Sequence, residues 1–284
     1  MSSDTRPCGK ERPGAGGLRK KCRPPLFCLG DGAGWHDACV SDLRARLLGV
    51  MDQKHHWAYP ALTRPGLSKQ QLVAHFRHEY LVYVRDFPVL VARALGITPP
   101  LHEVRAALAE NIYEEQTGRL SHTQAHPELF LRMMTGLGLE AELFAEDETV
   151  LHDAATRYRR FLFEQASEPP WQAAVGLLTI FVEGSVNERA ELQGSLVRRQ
   201  AEDVVRDHPL VRHYGCPPDA MDLVRAHARV EGGHRQDAWR VVLAHTPEGS
   251  AAAGALAERC EQALELWHRY RDGVAEHMGL RTNS

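Results

Sequence analysis

From Ser41 onward apolar residues recur at three- and four-residue intervals almost without interruption, and this periodicity leaves room for little besides helices. The spacing predicts helical segments near 41–53, 68–94, 101–117, 127–138, 149–166, 170–186, 187–208, 217–246 and 249–277. Helix punctuation separates them. Ser68 stands at a start, Pro99-Pro100 and Gly136-Leu137-Gly138 at breaks, and Pro217-Pro218-Asp219 ahead of a long late helix. Alternating β-branched runs of the kind a half-buried strand needs are missing. The expected fold is all-α, one domain over 39–284 with about seven to nine helices. Residues 1–38, which include Pro13-Gly14-Ala15-Gly16-Gly17, have no apolar period and are expected to form a flexible tail.

Composition acts by exclusion. Lys and Arg number 34 against 37 Asp and Glu, a formal net charge of -3, so the chain has no overall basic footprint for nucleic acid or an anionic membrane. No stretch approaches the roughly eighteen apolar residues of a membrane span, and Met1 to Lys21 has no apolar leader core. The expectation is a cytoplasmic protein acting on a small molecule. Cys8, Cys22, Cys28, Cys39, Cys216 and Cys260 include no CxxC pair, and in a reducing compartment they read as free thiols.

Chemistry enters through polar residues that interrupt apolar stripes. On the helix after Pro217-Pro218 the stripe Ala220, Leu223, Val224 continues through His227, Glu231 and His234 to Ala238, Val241 and Val242. The i, i+4, i+7 spacing places both imidazoles and the carboxylate on one side of the helix, where they can face one ion. A single such histidine is ordinarily a hydrogen-bonded core residue. Two of them with an intervening carboxylate are harder to bury without a cation. Glu183 closes the apolar run Leu177 to Val182, Glu79 shares a stripe with Leu72, Phe76, Tyr83 and Phe87, and Glu115 shares one with Leu108, Asn111 and Ile112. Carboxylates from several helices joined by histidines form the recurrent recipe for a dinuclear iron or manganese centre.

The segments Phe76 to Pro88, Asn111 to Gly118, His126 to Arg132, Phe181 to Gly184 and His227 to His234 together resemble, in order, the motifs of the haem-oxygenase-like diiron oxidases, relatives of pyrroloquinoline-quinone synthase and thiaminase II. The resemblance covers about residues 41 to 250. It implies two ferrous ions with dioxygen as co-substrate, held by Glu79, Glu115, His126, Glu183, His227, Glu231 and His234. Glu231 departs from the family pattern, which has Asp there. Glu114 competes with Glu115 if the register slips by one, and His122 competes with His126, which precedes Pro127 at a natural helix start. The implied reaction is oxidation of an amino-acid-like or fatty-acid-like substrate by N-oxygenation, carbon–carbon cleavage or decarboxylation. An external electron donor and a homodimer are compatible with it. Candidate pocket residues are Trp57, Tyr80, Tyr83 and Tyr113, with Arg77 and Arg85 as carboxylate anchors. Three alternatives stay open: a cofactorless oxidase, a thiaminase-like hydrolase with Cys216 as nucleophile, and a non-catalytic helical protein that binds iron or a partner.

Overall fold

A computed structural model of the chain describes residues 42–144, 148–196 and 199–281, apart from the side chains of 230–235. The expected tail at 1–38 lies outside the described residues. Thirteen α-helices follow one another, and no strand is present among the described residues. They are α1 (Leu43–Asp52), α2 (Tyr59–Leu62), α3 (Lys69–Glu79), α4 (Phe87–Ile97), α5 (His102–Thr117), α6 (His126–Gly136), α7 (Asp153–Gln165), α8 (Trp171–Gly176), α9 (Glu188–Leu192), α10 (Ala201–Asp207), α11 (Pro209–Tyr214), α12 (Asp222–Ala244) and α13 (Ala251–His277). None of the described helices is long and apolar enough to cross a membrane.

The all-helical expectation holds, with more and shorter helices than the periodicity suggests. The stretch read as one helix over 68–94 is broken at Asp86, because Pro88 has no amide hydrogen to donate into the preceding turn and instead starts α4. The stretch 187–208 divides into α9 and α10. Gly194, at φ +66°, stops α9, and the Ser195 amide closes back onto the Ala190 carbonyl at 2.9 Å. Starts follow their sequence signals. Ser68 caps α3 by accepting from the Gln71 amide at 3.2 Å while the Gln71 side chain accepts from the Ser68 amide at 2.9 Å. Ser250 caps α13 through the Ala253 amide at 3.1 Å.

Helix α13 is the spine of the bundle and packs against α1, α3, α7 and α8. Its buried stripe of Leu256, Ala257, Cys260, Ala263, Leu264, Trp267, Tyr270 and Val274 follows the 3.6-residue period. Full burial of a side chain such as Leu256 contributes about 2 kcal/mol. At Gly176 a β-carbon would meet Leu256 Cδ1 at 2.5 Å, so α8 owes its close approach to α13 to that glycine.

Two segments depart from α geometry. Tyr80–Val84 and Leu177–Val182 are π-helical, and they directly continue α3 and α8. Each adjoins a carboxylate singled out in the sequence: Glu79 precedes the first, Glu183 follows the second. A π-turn inserts an extra residue and widens the helix locally, which turns side chains off the face that a 3.6-residue period assigns, and such insertions concentrate at functional sites.

Candidate metal centre

Helix α5 supplies three polar residues within one turn and a half: Asn111, Glu114 and Glu115. The helix ends at Gly118, whose φ of +63° places it in the left-handed region. A β-carbon there would also run into the Gln124 backbone, so this glycine permits the tight loop that returns the chain to His126. Glu114, 1% exposed, holds that loop by accepting the amides of Leu120 at 2.7 Å and Ser121 at 3.2 Å. Burial alone would raise its carboxyl pKa, and the Ser121 and Leu120 donors together with His126 reverse this and hold it below the usual range.

His126 sits at the first position of α6 with Pro127 behind it, and both ring nitrogens face carboxylates. Nε2 lies 3.3 Å from Glu114 Oε1 and Nδ1 lies 3.0 Å from Glu115 Oε1. Burial pushes the imidazole pKa down, but Glu115 and then Glu114 outweigh it and hold it above its ordinary value. The two approaches are not equivalent. The one to Glu114 is a hydrogen bond, whereas Nδ1 is buried and lacks hydrogen-bond alignment with any partner among the described residues. Two ligand atoms on one first-row divalent ion, with arms of about 2.1 Å at near-tetrahedral or octahedral angles, stand roughly 3 Å apart. The Nδ1–Glu115 pair has that separation. With an ion at Nδ1, Glu114 would stand in the supporting place of a carboxylate that receives the other ring N–H.

The remaining groups arrive from α12 and the second π-turn. His227, on α12, packs edge-on to His126 with ring centroids 5.1 Å apart. Glu231 and His234 follow one and two turns later on the same helix, but their side chains lie outside the described residues. Glu183 accepts from Asn111 Nδ2 at 2.5 Å, while Asn111 Oδ1 is buried without a partner among the described residues. Val175, Thr179 and Glu183, four residues apart through the π-turn, line one side of a narrow cavity of about 60 Å³, and Leu108, Asn111 and Val241 line others. The end of that turn is held by Lys54, whose ammonium donates to the carbonyls of Phe181, Val182 at 3.0 Å and Gly184 at 2.6 Å. Lys54 thereby clamps the backbone on both sides of Glu183. Two orphaned buried polar atoms beside imidazoles and carboxylates fit an ion bound among them. Among the described side chains alone, no group of three or more His, Cys, Asp or Glu closes on a single point.

Glu79 is not brought to this cluster. Its carboxylate is taken up by Arg271 of α13, which donates to both oxygens, and by the hydroxyls of Tyr83 and of Tyr270, the latter at 2.8 Å. Arg271 holds the carboxyl pKa down at about 2 against the opposing effect of burial. The sequence places Glu79 on an inward stripe but cannot show that a cation of the chain itself, 192 residues away, waits there. Of the seven residues expected to share one centre, Glu79 is the one whose carboxylate is engaged by a cation of the chain itself.

The candidate pocket residues scatter in the same way. Trp57 is exposed and donates to Asp272 at 2.8 Å, Tyr113 is exposed, and Tyr80 stacks on Phe130 in the core. Arg77 is used by the Leu143 carbonyl and Arg85 by Asp86 and Glu148. Of the six, Tyr83 borders a cavity. Spacing gave no signal for Lys54, Asn111 or Arg271, whose roles come from other parts of the chain. His122, at φ +57°, is exposed on the loop before α6, as its competition with His126 implied.

Cys216 and Cys260 are free thiols among the described residues. Cys216 is buried and burial pushes its pKa up to about 11; its neighbours are the Met133 and Pro217 carbonyls and Met221 Sδ. Cys260 is pushed up to about 12. At Cys216 burial acts alone, and at Cys260 it outweighs the opposing pull of Arg259 and Lys54, so neither is set up as a thiolate.

Comparison with known proteins agrees with this architecture. No curated protein matches the sequence. Among solved structures, a TenA homolog from Pseudomonas syringae pv. tomato superposes with a TM-score of 0.56 at 14% identity, covering 82% of this chain and 88% of its own. At that identity the likeness speaks for the fold, which is haem-oxygenase-like and TenA-like. Residues 74–268 match the family described as iron-containing redox enzymes. That match spans most of the chain, from α3 into α13, and the protein belongs to this family of iron-containing redox enzymes.

Proposed function

We propose that the protein is a non-haem diiron oxidoreductase that activates dioxygen to oxidise a small amino-acid-like or fatty-acid-like substrate. The observation that carries the reading is His126 between two carboxylates, its Nδ1 orphaned 3.0 Å from Glu115 and its Nε2 against Glu114. That is the arrangement of a metal-facing nitrogen with a carboxylate behind the ring. Glu115, His126, Glu183, His227, Glu231 and His234 would hold the irons, with Glu79 left to Arg271. Two ferrous ions bound there would supply the reducing equivalents for dioxygen activation. The protein's own work is positional. Glu114 receives the His126 Nε2 proton and keeps Nδ1 turned to the site, Asn111 donates to Glu183, and Lys54 fixes the end of the π-turn that carries Glu183. An external donor would return the electrons between turnovers.

A thiaminase-like hydrolase, the reading nearest in fold, needs a thiolate, and the raised, buried thiols of Cys216 and Cys260 speak against it. The deciding experiment is anaerobic ferrous loading of the full chain, followed by metal analysis and exposure to oxygen. About two irons per chain and an oxygen-dependent visible absorption band are expected. Stoichiometry unchanged in the His126→Ala protein, or a spectrum silent to oxygen, would remove the proposal.

A further inference from the structure

The narrow cavity of about 60 Å³ that Glu183 borders is also lined by two carboxylates the candidate centre does not use, Glu110 of α5 and Asp237 of α12. Both are exposed, so they stand at its mouth, while Asn111, only 8% exposed, stands inside beside Glu183. Glu110 makes no hydrogen bond or ion pair among the described residues. Asp237 is reached by Arg240 through Oδ1, at 3.2 and 3.3 Å, and Arg240 also reaches Glu103, which is bonded in turn to His245. Even with Arg240 and His245 both counted as cations, the four carboxylates Glu103, Glu110, Glu183 and Asp237 outnumber them two to one. No basic side chain lines the cavity among the described residues. The independent sign of a ligand is at the inner end. Asn111 commits its Nδ2 to Glu183 at 2.5 Å, which fixes the amide's orientation, and its Oδ1 is left buried without a partner. An acceptor oxygen in that state, next to a carboxylate, is suited to a cation.

We propose that this cavity is the port by which a divalent cation reaches the candidate centre, with Glu110 and Asp237 gathering the ion at the mouth and the Asn111 carbonyl receiving it beside Glu183. The inference rests on the metal reading of the site and adds the path to it. Size agrees: the space holds a few waters or an ion that has shed part of its hydration, and it is too small for a whole organic substrate, whose sites start at about 300 Å³. Charge decides between the small visitors. Carboxylates around a cleft with low-dielectric walls, here Leu108 and Val241, raise the local concentration of cations and speed their capture by roughly tenfold to a thousandfold. Dioxygen, being uncharged, gains nothing from them. The neutral Asn111 oxygen holds a hard cation less firmly than a carboxylate does, so an ion paused there can pass on to Glu183.

Anaerobic ferrous uptake by the iron-free full-length chain, stopped at intervals with a chelator and read as iron bound against time, tests the proposal. The double variant Glu110→Gln with Asp237→Asn is expected to load about tenfold more slowly at low ionic strength. The deficit should close at about 1 M salt, where exposed charges are screened. Final iron per chain and melting temperature should match the parent, because both side chains are exposed and neither is a ligand. Ala107→Leu, which narrows the cavity without touching its charge, should slow loading at either salt concentration. An unchanged rate in the charge variant overturns the port, and does so equally if Ala107→Leu alone is slow, the behaviour of a passage for an uncharged molecule. A charge variant with reduced final iron overturns it too, by making Glu110 and Asp237 part of the centre. The two readings fail separately: a parent chain that holds no iron at equilibrium removes the metal reading and the port with it, whereas full iron at an unchanged rate removes the port alone.

Discussion

Replacing Glu79 by Gln keeps the side chain's shape and removes its charge, leaving the Arg271 guanidinium buried without a counter-ion. Two independent lines size the effect. The carboxyl pKa falls from the ordinary 4.5 to about 2, and each unit is worth about 1.4 kcal/mol, so the folded state favours the ionised form by roughly 3 kcal/mol. Removing one partner of a buried ion pair typically costs about 3–5 kcal/mol. Both place the loss at a large share of the whole stability of a domain, which is about 5–15 kcal/mol. Urea unfolding at pH 7 should therefore show an unfolding free energy lowered by about 3 kcal/mol, seen as a lower midpoint at unchanged slope. A cycle with Arg271→Met should recover part of it, because the double variant strands no charge. The same variant divides the two roles open to Glu79. As the partner of Arg271 it is needed for stability and not for iron, so the Glu79→Gln chain should still take up its full ferrous complement below its unfolding range. A loss of under about 1 kcal/mol together with lost iron would refute the ion-pair reasoning and return Glu79 to the metal.

Acid should unfold the protein in two stages. His75 is buried and burial lowers its pKa to about 4, so the unfolded chain binds the proton more readily; the stability it contributes is full above about 6.5 and declines as pH falls from there to about 4, by roughly 3 kcal/mol. The Glu79 contribution, full above about 4.5, is then lost as pH falls through about 2, and urea midpoints between pH 7 and pH 3 that stay flat would contradict both. Glu114→Gln keeps a group that can accept from the His126 ring but gives up the charge, and should weaken ferrous binding about tenfold to a hundredfold, less than Glu115→Ala, which ligand titration can rank. Gly118→Ala meets both a left-handed φ and the Gln124 backbone, and should cost about 1–3 kcal/mol in thermal unfolding while displacing His126 enough to lower iron content; a neutral result would mean the loop adapts.

Local signals in the chain were sufficient for the class of fold and for the family of iron-containing redox enzymes. Helix periodicity, Ser68 and Pro127 at helix starts, and the order of the Glu and His motifs are properties of neighbours within about a turn of one another, and such properties survive in a linear string. The choice between Glu114 and Glu115 was only half legible. Both lie within reach of His126, and their different tasks depend on the loop amides of Leu120 and Ser121 folding back over Glu114. The fate of Glu79 was not legible at all. A carboxylate on an apolar stripe demands a cation, and a string cannot say whether that cation is iron or an arginine 192 residues later. The π-turns at 80–84 and 177–182 belong to the same category, since an inserted residue leaves composition and spacing unchanged and shows only in the backbone. Helix identity is a short-range free energy that sequence carries directly. Which buried charge meets which is decided by long-range packing, and here α13 made that decision by carrying Arg271 into the core.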